Sequence, residues 1–258
     1  MSTSEPGEMR LLPFTAHRVE LPDGSWTMDE GDDPLAATST AIVIREAGGS
    51  LAGLRILDVG CLEGGYTAAF ALLGAADALG LEVRRTNLAR CAYLAEALDL
   101  PAFRFVQGDA KGISRETHGT FDVVFAAGLL YHLDDPYDFL ARVRPMTERF
   151  LLLDTHIAHP TAHAHGCAPR LSALERDGRS YVGRVAHEYD ASIDEPVLDG
   201  LVWSSYGNPS SFWLTEDSLV AMLHDLGYTS VSKTFMPRGY KCGDRCSWEC
   251  RSIYVARV

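Results

Sequence analysis

The chain has 258 residues, 47% of them hydrophobic and 22% charged, with a formal net charge of -12; this is room for one large domain or two small ones around a sizeable core. The acidic balance, with no run of Lys or Arg, makes a nucleic-acid backbone a poor partner. No apolar run approaches the ~20 residues that cross a bilayer, and the opening "MSTSEPGEMR" has no signal-peptide core, so a cytoplasmic protein with reduced cysteines is expected.

Residues 1 to about 35 mix Pro, Gly and acids with scattered apolar anchors such as Phe14, Val19, Leu21 and Trp26. They read as an N-terminal arm with a short hairpin around "LPDGSW". A helix is expected over 36–48, closed by Gly48 and Gly49. Strands and helices then alternate. "LRILDVG" is a strand, "GGYTAAFALLGA" a helix, "DALGLEV" a strand and "NLARCAYLAEALDL" a helix stopped by Pro101. "FRFVQGD" and "FDVVFAAG" are strands, the second apolar enough to be buried on both faces. "PYDFLARVRPM" is a helix with Pro in its first turn, and "RFLLLDTH" is a strand. This alternation predicts a parallel, doubly wound sheet.

After His156 the rhythm breaks. Residues 157–212 show no strong period, and a structureless loop of that length is uncommon, so an inserted cap is expected there. The pattern resumes with the helix "TEDSLVAMLHDLGY", with Thr215 as N-cap and Gly227 at its end. "TSVSKTFM" and "RSIYVARV" close the chain as an antiparallel pair. Between them, Cys242, Cys246 and Cys250 in "KCGDRCSWEC" are too few and too widely spaced for the usual four-ligand zinc site, and read as a loop.

The stretch "RILDVGCLEGGYT" carries the chemistry. A strand that turns through glycine into a helix offers free backbone amides to a polar ligand group. A dinucleotide fingerprint wants three glycines for close approach of a pyrophosphate. Here Gly60, Gly64 and Gly65 remain, but the middle position is Leu62. A ligand without phosphate suits this loop better. Asp58 precedes the loop. Glu82 ends the second strand, where a carboxylate can hold ribose hydroxyls, and Asp109 with Ala110 ends the third, where adenine could be met. Three acids around one pocket suit a cationic nucleoside.

Together these segments resemble the class I S-adenosylmethionine-dependent methyltransferases. "ILDVGCLEGGYT" is similar to the family's first motif, "GLEV" to the second, "GDA" to the third and "FDVVFAAGLLYHLDDP" to the fourth, over roughly Leu54 to Asp154. The resemblance implies a Rossmann-like, doubly wound α/β fold with a seven-stranded sheet whose last strand is antiparallel. The methyltransferase domain would run from 36 to 258, carrying the arm and the cap. It also implies S-adenosylmethionine as cofactor. Gly60 and Gly64 would approach its methionine part, with Asp58, Cys61 and Tyr66 nearby. Glu82 would bind the ribose, Asp109 and Ala110 would flank the adenine, and Ala127, Gly128 and Leu129 would pass near the sulfonium.

For the methyl acceptor, a hydroxyl of a small molecule is expected, a sugar or another natural product. A weaker resemblance to actinobacterial sugar methyltransferases points the same way. Attack by a hydroxyl needs its proton removed. Asp154 and His156, at the carboxyl edge of the fifth strand, are the first candidates, followed by Tyr131 and His132. His159, His163 and His165 follow close by. Asp154 with His156 is also a candidate start for a divalent metal site such as Mg²⁺. Aromatic residues Trp26, Tyr206 and Trp213, with Trp203 and Phe212, are candidates to contact the acceptor. Two other readings stay open. One is a tRNA wobble-uridine carboxymethyltransferase, suggested by "NPSSFWLT". The other is a non-catalytic binding protein of the same fold. A homodimer is also expected.

Overall fold

The computed structural model describes residues 13–159, 170–234 and 251–258. The arm, residues 13–35, is held by isolated bridges at His17 with Asp32 and at Glu20 with Trp26. Its turn closes where "LPDGSW" suggests, through Leu21 N–H to Ser25 O at 2.8 Å and Gly24 N–H to Leu21 O at 2.9 Å. Helix α1 (Thr38–Glu46) follows.

The parallel core comes next. It consists of β1 (Arg55–Val59), α2 (Gly65–Leu72), β2 (Asp77–Glu82), α3 (Arg85–Leu98), β3 (Phe103–Gln107), the short α4 (Arg115–His118), β4 (Phe121–Ala127), α5 (Pro136–Val143) and β5 (Thr147–His156). Helix α5 begins where Asp135 accepts from Asp138 N–H, with Pro136 in its first turn, as proline's fixed φ favours. The chain then forms β6 (Ser172–Arg176), β7 (Arg179–His187), α6 (Glu195–Gly200) and β8 (Ser210–Leu214), and ends with α7 (Glu216–Asp225), β9 (Ser230–Thr234) and β10 (Arg251–Arg257). Thr215 caps α7 by accepting from Ser218 N–H.

Seven strands form one sheet in the order β3-β2-β1-β4-β5-β10-β9. β10 runs antiparallel between β5 and β9, so the last strand is reversed as the family pattern implies. The strand order turns back beside β1, and ligands of such sheets bind at the carboxyl ends near that point. The stretch without clear period builds most of a second, three-stranded antiparallel sheet, β6-β7-β8.

Side chains alternate across the large sheet with the strand period of two. Leu57, Val59, Val124, Ala126, Leu151 and Leu153 join one core with Phe139 of α5, Leu219 of α7, and Tyr181 and Phe212 of the second sheet. Ile56, Val123, Phe125, Phe150 and Leu152 join the other with Val43 of α1, Phe70 of α2, Leu94 of α3 and Phe14 of the arm. The arm and the second sheet are therefore seated on opposite faces, each by its own apolar contacts. Burying one such side chain contributes about 1.5–3 kcal/mol, so several of them fix both attachments. Among the described residues, no helix is long and apolar enough to cross a membrane.

Candidate active site

The loop after β1 turns through Gly60 at φ 72°. A Cβ there would lie 3.2 Å from Leu129 Cδ1, so glycine serves both conformation and close approach. Leu62 adopts φ 53°, a left-handed conformation that a leucine rarely takes. Two hydrogen bonds hold it: its N–H donates to Glu82 Oε2 at 2.9 Å, and its carbonyl accepts from the Cys91 thiol at 3.4 Å. The missing glycine is thus met by a strained leucine whose amide is tied to the acid ending β2.

Glu82 is buried and also accepts from Val83 N–H at 2.9 Å and Arg84 N–H at 2.8 Å. Burial pushes its pKa up, against the pull of the amides and of the Arg84 charge. Asp58 is 3% exposed and accepts from Thr67 Oγ1 at 2.7 Å. Burial raises its pKa to about 7, the Thr67 bond opposing and the Glu82 charge adding to the rise. Asp109 instead is exposed and accepts from Lys111 N–H at 2.9 Å.

These residues line a cavity of about 290 Å³, near the lower end for ligand pockets. Asp58, Gly60, Cys61 and Tyr66 enter it from β1 and its loop, Glu82 from β2, and Asp109 and Ala110 from beyond β3. Ala127, Gly128 and Leu129 enter from the end of β4. Of the expected cofactor residues, only Gly64 is not in the lining; at φ 81° it faces Cys91 and Phe103 instead. The lining holds five carboxylates (Asp32, Asp58, Glu82, Asp109 and Asp154) against two guanidiniums, Arg84 and Arg251. Both guanidiniums are engaged by protein oxygens, which leaves a cavity that favours a cation.

Two walls come from outside the parallel core. The arm contributes Ala16, His17 and Asp32. The segment after α6 contributes Val202 to Tyr206 and Asn208. Arg84 holds that segment, donating to the carbonyls of Leu201, Ser204 and Ser205 at 2.8–2.9 Å. Asp199 accepts from the amides of Arg85 at 2.9 Å and Thr86 at 3.2 Å. The wall is thus fastened directly beside Glu82. Trp203 is 66% exposed and Tyr206 sits over the Arg84 guanidinium, both at the lining.

Beyond β4, His132 also lines the cavity. Its Nδ1 meets the Glu188 carboxylate at 3.0 and 3.2 Å. Glu188 lies just beyond β7 and accepts as well from Ser211 Oγ at 2.6 Å and Ser205 N–H at 3.0 Å. These donors and the His132 charge hold its carboxyl below the ordinary value, although burial works the other way. Among the described residues, His132 Nε2 takes no hydrogen bond. An imidazole so oriented by a carboxylate can accept a proton at its free nitrogen. Glu188 carried no signal in the sequence, since it is 56 residues from His132 and its stretch shows no strong period.

Several expected roles need correction. His156 is not at the cavity. It is 9% exposed, stacked on Trp213 at 5.0 Å and 15° and set edge-on to Tyr131 at 4.6 Å. Its Nδ1 is buried without a hydrogen bond among the described residues, and burial lowers its pKa to about 4. Trp213, 9% exposed, packs with Ala158 and Ala186 in a small core rather than at an acceptor surface. Trp26 lies under the Arg18 guanidinium at 3.5 Å and is not in the lining. Asp154 does line the cavity, but its carboxylate is taken by Arg251 at 2.8 and 3.2 Å. An acid paired with a guanidinium and a histidine sandwiched between rings do not make the expected Mg²⁺ site. No group of three or more metal-ligating side chains occurs among the described residues. Tyr131, by contrast, lies in the lining beside His132. His163, His165, Cys242, Cys246 and Cys250 lie outside the described residues.

A family model described as a methyltransferase domain matches residues 57–149. The chain is 33% identical over 235 residues to a ubiquinone biosynthesis O-methyltransferase of Methylococcus capsulatus, covering 89% of this chain and 88% of that protein. It is 38% identical over 102 residues to a tRNA U34 carboxymethyltransferase of Alcanivorax borkumensis, covering 37% of this chain and 29% of that protein. In fold it is similar to the N-terminal domain of EvdMO1, solved in the presence of S-adenosylhomocysteine (SAH) and D-fucose. The TM-score is 0.67 at 27% identity, with 92% of this chain and 88% of that one covered.

Proposed function

The chain belongs to the class I S-adenosylmethionine-dependent methyltransferases, and from that premise we propose that it methylates a hydroxyl of a small-molecule acceptor, a sugar hydroxyl first among the candidates. The cation-favouring cavity, with Asp58, Glu82 and Asp109 along the ends of β1, β2 and β3, suits the cofactor. When bound, the cofactor supplies a methyl group on a cationic sulfur. Glu82 is placed for the ribose hydroxyls and Asp109 for the adenine edge. Asp58 lies at the β1 end and adds negative charge beside the cofactor's tail.

The observation that carries hydroxyl chemistry is His132, held at Nδ1 by Glu188 beside the cavity. In this reading the acceptor oxygen forms its bond to the methyl carbon as the carbon–sulfur bond breaks. His132 Nε2 takes the hydroxyl proton. Glu188 keeps the tautomer that leaves Nε2 free and stabilises the imidazolium that results. The products are a methyl ether and a neutral thioether. Arg84 and Asp199 keep the wall around Trp203 and Tyr206 fixed while water is excluded. Two similar proteins support the acceptor class: one is an O-methyltransferase and one was solved in the presence of D-fucose. A tRNA acceptor would call for cationic surface that a net charge of -12 does not favour.

The test is His132→Ala. Removing a general base should lower kcat by about 100-fold or more while SAH binds as in wild type. An unchanged kcat would overturn the role of His132. Absence of transfer by wild type to every hydroxyl acceptor tried would favour the non-catalytic reading.

A further inference from the structure

The strongest unexplained feature is a buried carboxylate in the cofactor loop. Glu63 is 0% exposed. It accepts from Thr15 N–H at 2.6 Å and Thr15 Oγ1 at 2.8 Å, and from the amides of Ala16 at 3.0 Å and His17 at 3.1 Å. Arg90 of α3 balances its charge at 3.4 Å. One loop side chain thus gathers three successive amides of the arm. A buried charge so fully satisfied fixes geometry rather than adding net stability. What it fixes is His17.

The His17 ring lies against the start of α2. A Cβ on Gly65 would come within 2.6 Å of it, and the ring stands edge-on to Tyr66 at 5.3 Å and 86°. Gly65 N–H donates to His17 Nδ1 at 3.2 Å. Nδ1 is therefore an acceptor, and the neutral ring must carry its proton on Nε2. His17 is 6% exposed and lines the cavity. Among the described residues, its Nε2 has no hydrogen-bond partner, and it is not one of the buried unpaired atoms. A donor that is neither paired nor sealed in, on a ring almost wholly buried at a cavity wall, is open to the cavity.

The sheet order decides what it meets there. Glu82 and Asp109 stand at the ends of β2 and β3, on one side of β1. A nucleoside held by them leaves its tail over β1 and the start of α2, where His17 sits. Burial keeps the ring neutral against the charges of Glu63 and Asp32.

We propose that the arm completes the cofactor site: His17 Nε2–H donates to the carboxylate of the cofactor's amino-acid end, with Asp32 and Asp58 facing the ammonium. Glu63 is the positioning residue that delivers His17. The inference rests on the methyltransferase reading above. It adds a ligand contact from a segment that lies outside the matched domain at 57–149.

The test compares SAH with 5′-methylthioadenosine, which lacks the amino-acid end, by titration calorimetry on the full chain. His17→Phe keeps the ring against Tyr66 and removes both nitrogens. It should weaken SAH about 10-fold, as loss of a charge-assisted hydrogen bond implies, and leave 5′-methylthioadenosine within about twofold. His17→Gln, which can still accept from Gly65 and donate to a carboxylate, should recover most of the loss. Unchanged SAH affinity, or equal weakening of both ligands, would overturn the clamp and leave a purely structural arm. Failure of wild type to bind SAH at all would overturn the cofactor reading itself.

Discussion

Cofactor binding should release a proton from Asp58, and Asp58→Asn should abolish that release. The buried carboxyl has its pKa raised from 3.8 to about 7, burial being the main cause. That rise amounts to roughly 4 kcal/mol of preference for the protonated form. The group's contribution to stability is fully present below pH 3.8 and is lost as the pH rises through about 7. Ligand-free protein therefore carries an uncomfortable charge at pH 8. A cation placed beside Asp58 reverses this by favouring the carboxylate. At about pH 6 nine-tenths of the free protein is protonated at Asp58, so binding should release close to one proton. At about pH 8.5 it should release almost none. The affinity for SAH, whose ammonium supplies the cation, should weaken up to about 10-fold per unit as the pH falls below 7. Calorimetry in buffers of small and large ionisation enthalpy reads the proton directly. Asp58→Asn should bind more weakly at pH 8 with no proton release, and its ligand-free form should be the more stable one there. Heat at pH 6 that is independent of the buffer in wild type would refute the reasoning.

Glu188→Gln replaces one acceptor oxygen by a donor toward His132, Ser211 and Ser205; kcat should fall about 10- to 100-fold with SAH affinity unchanged. Combined with His132→Ala the loss should not add, because the two act as one unit, and full additivity in steady-state kinetics would contradict the dyad. His156→Phe should leave kcat within about twofold, since His156 stands behind the wall. His156, with its pKa lowered to about 4, withdraws stability as the pH falls below about 6.5, by roughly 3 kcal/mol at full protonation. Denaturant melts should show the Phe variant losing less between about pH 6.5 and 4. A collapse of kcat in that variant would restore His156 to the chemistry.

The parallel half of the molecule was legible because each strand announces itself by an apolar run and each strand end by an acid or glycine. Asp58, Glu82 and Asp109 could be placed for that reason, since a strand's carboxyl end needs no distant partner to be recognised. Contacts between remote segments left no such trace. Nothing in the sequence marks Glu63, because it binds backbone amides 46–48 residues away, and amides have no sequence signature. Glu188 fell in a stretch whose strands β6 and β7 are partly exposed and interrupted by Gly183, which blurs the alternation. His156 was misjudged because its position at a strand edge was visible, while the rings of Tyr131 and Trp213 that enclose it were not. Asp154 likewise could not reveal Arg251, 97 residues on.

The most direct measurement follows the methyl group itself. Purified protein is given isotopically labelled S-adenosylmethionine and a panel of pyranoses, phenols and other hydroxylated small molecules, and the product is mapped by NMR. The account predicts label on an oxygen of one acceptor class, as a methyl ether, with loss of the signal in His132→Ala. Label found only on nitrogen or carbon, or transfer that survives intact in His132→Ala, would contradict it.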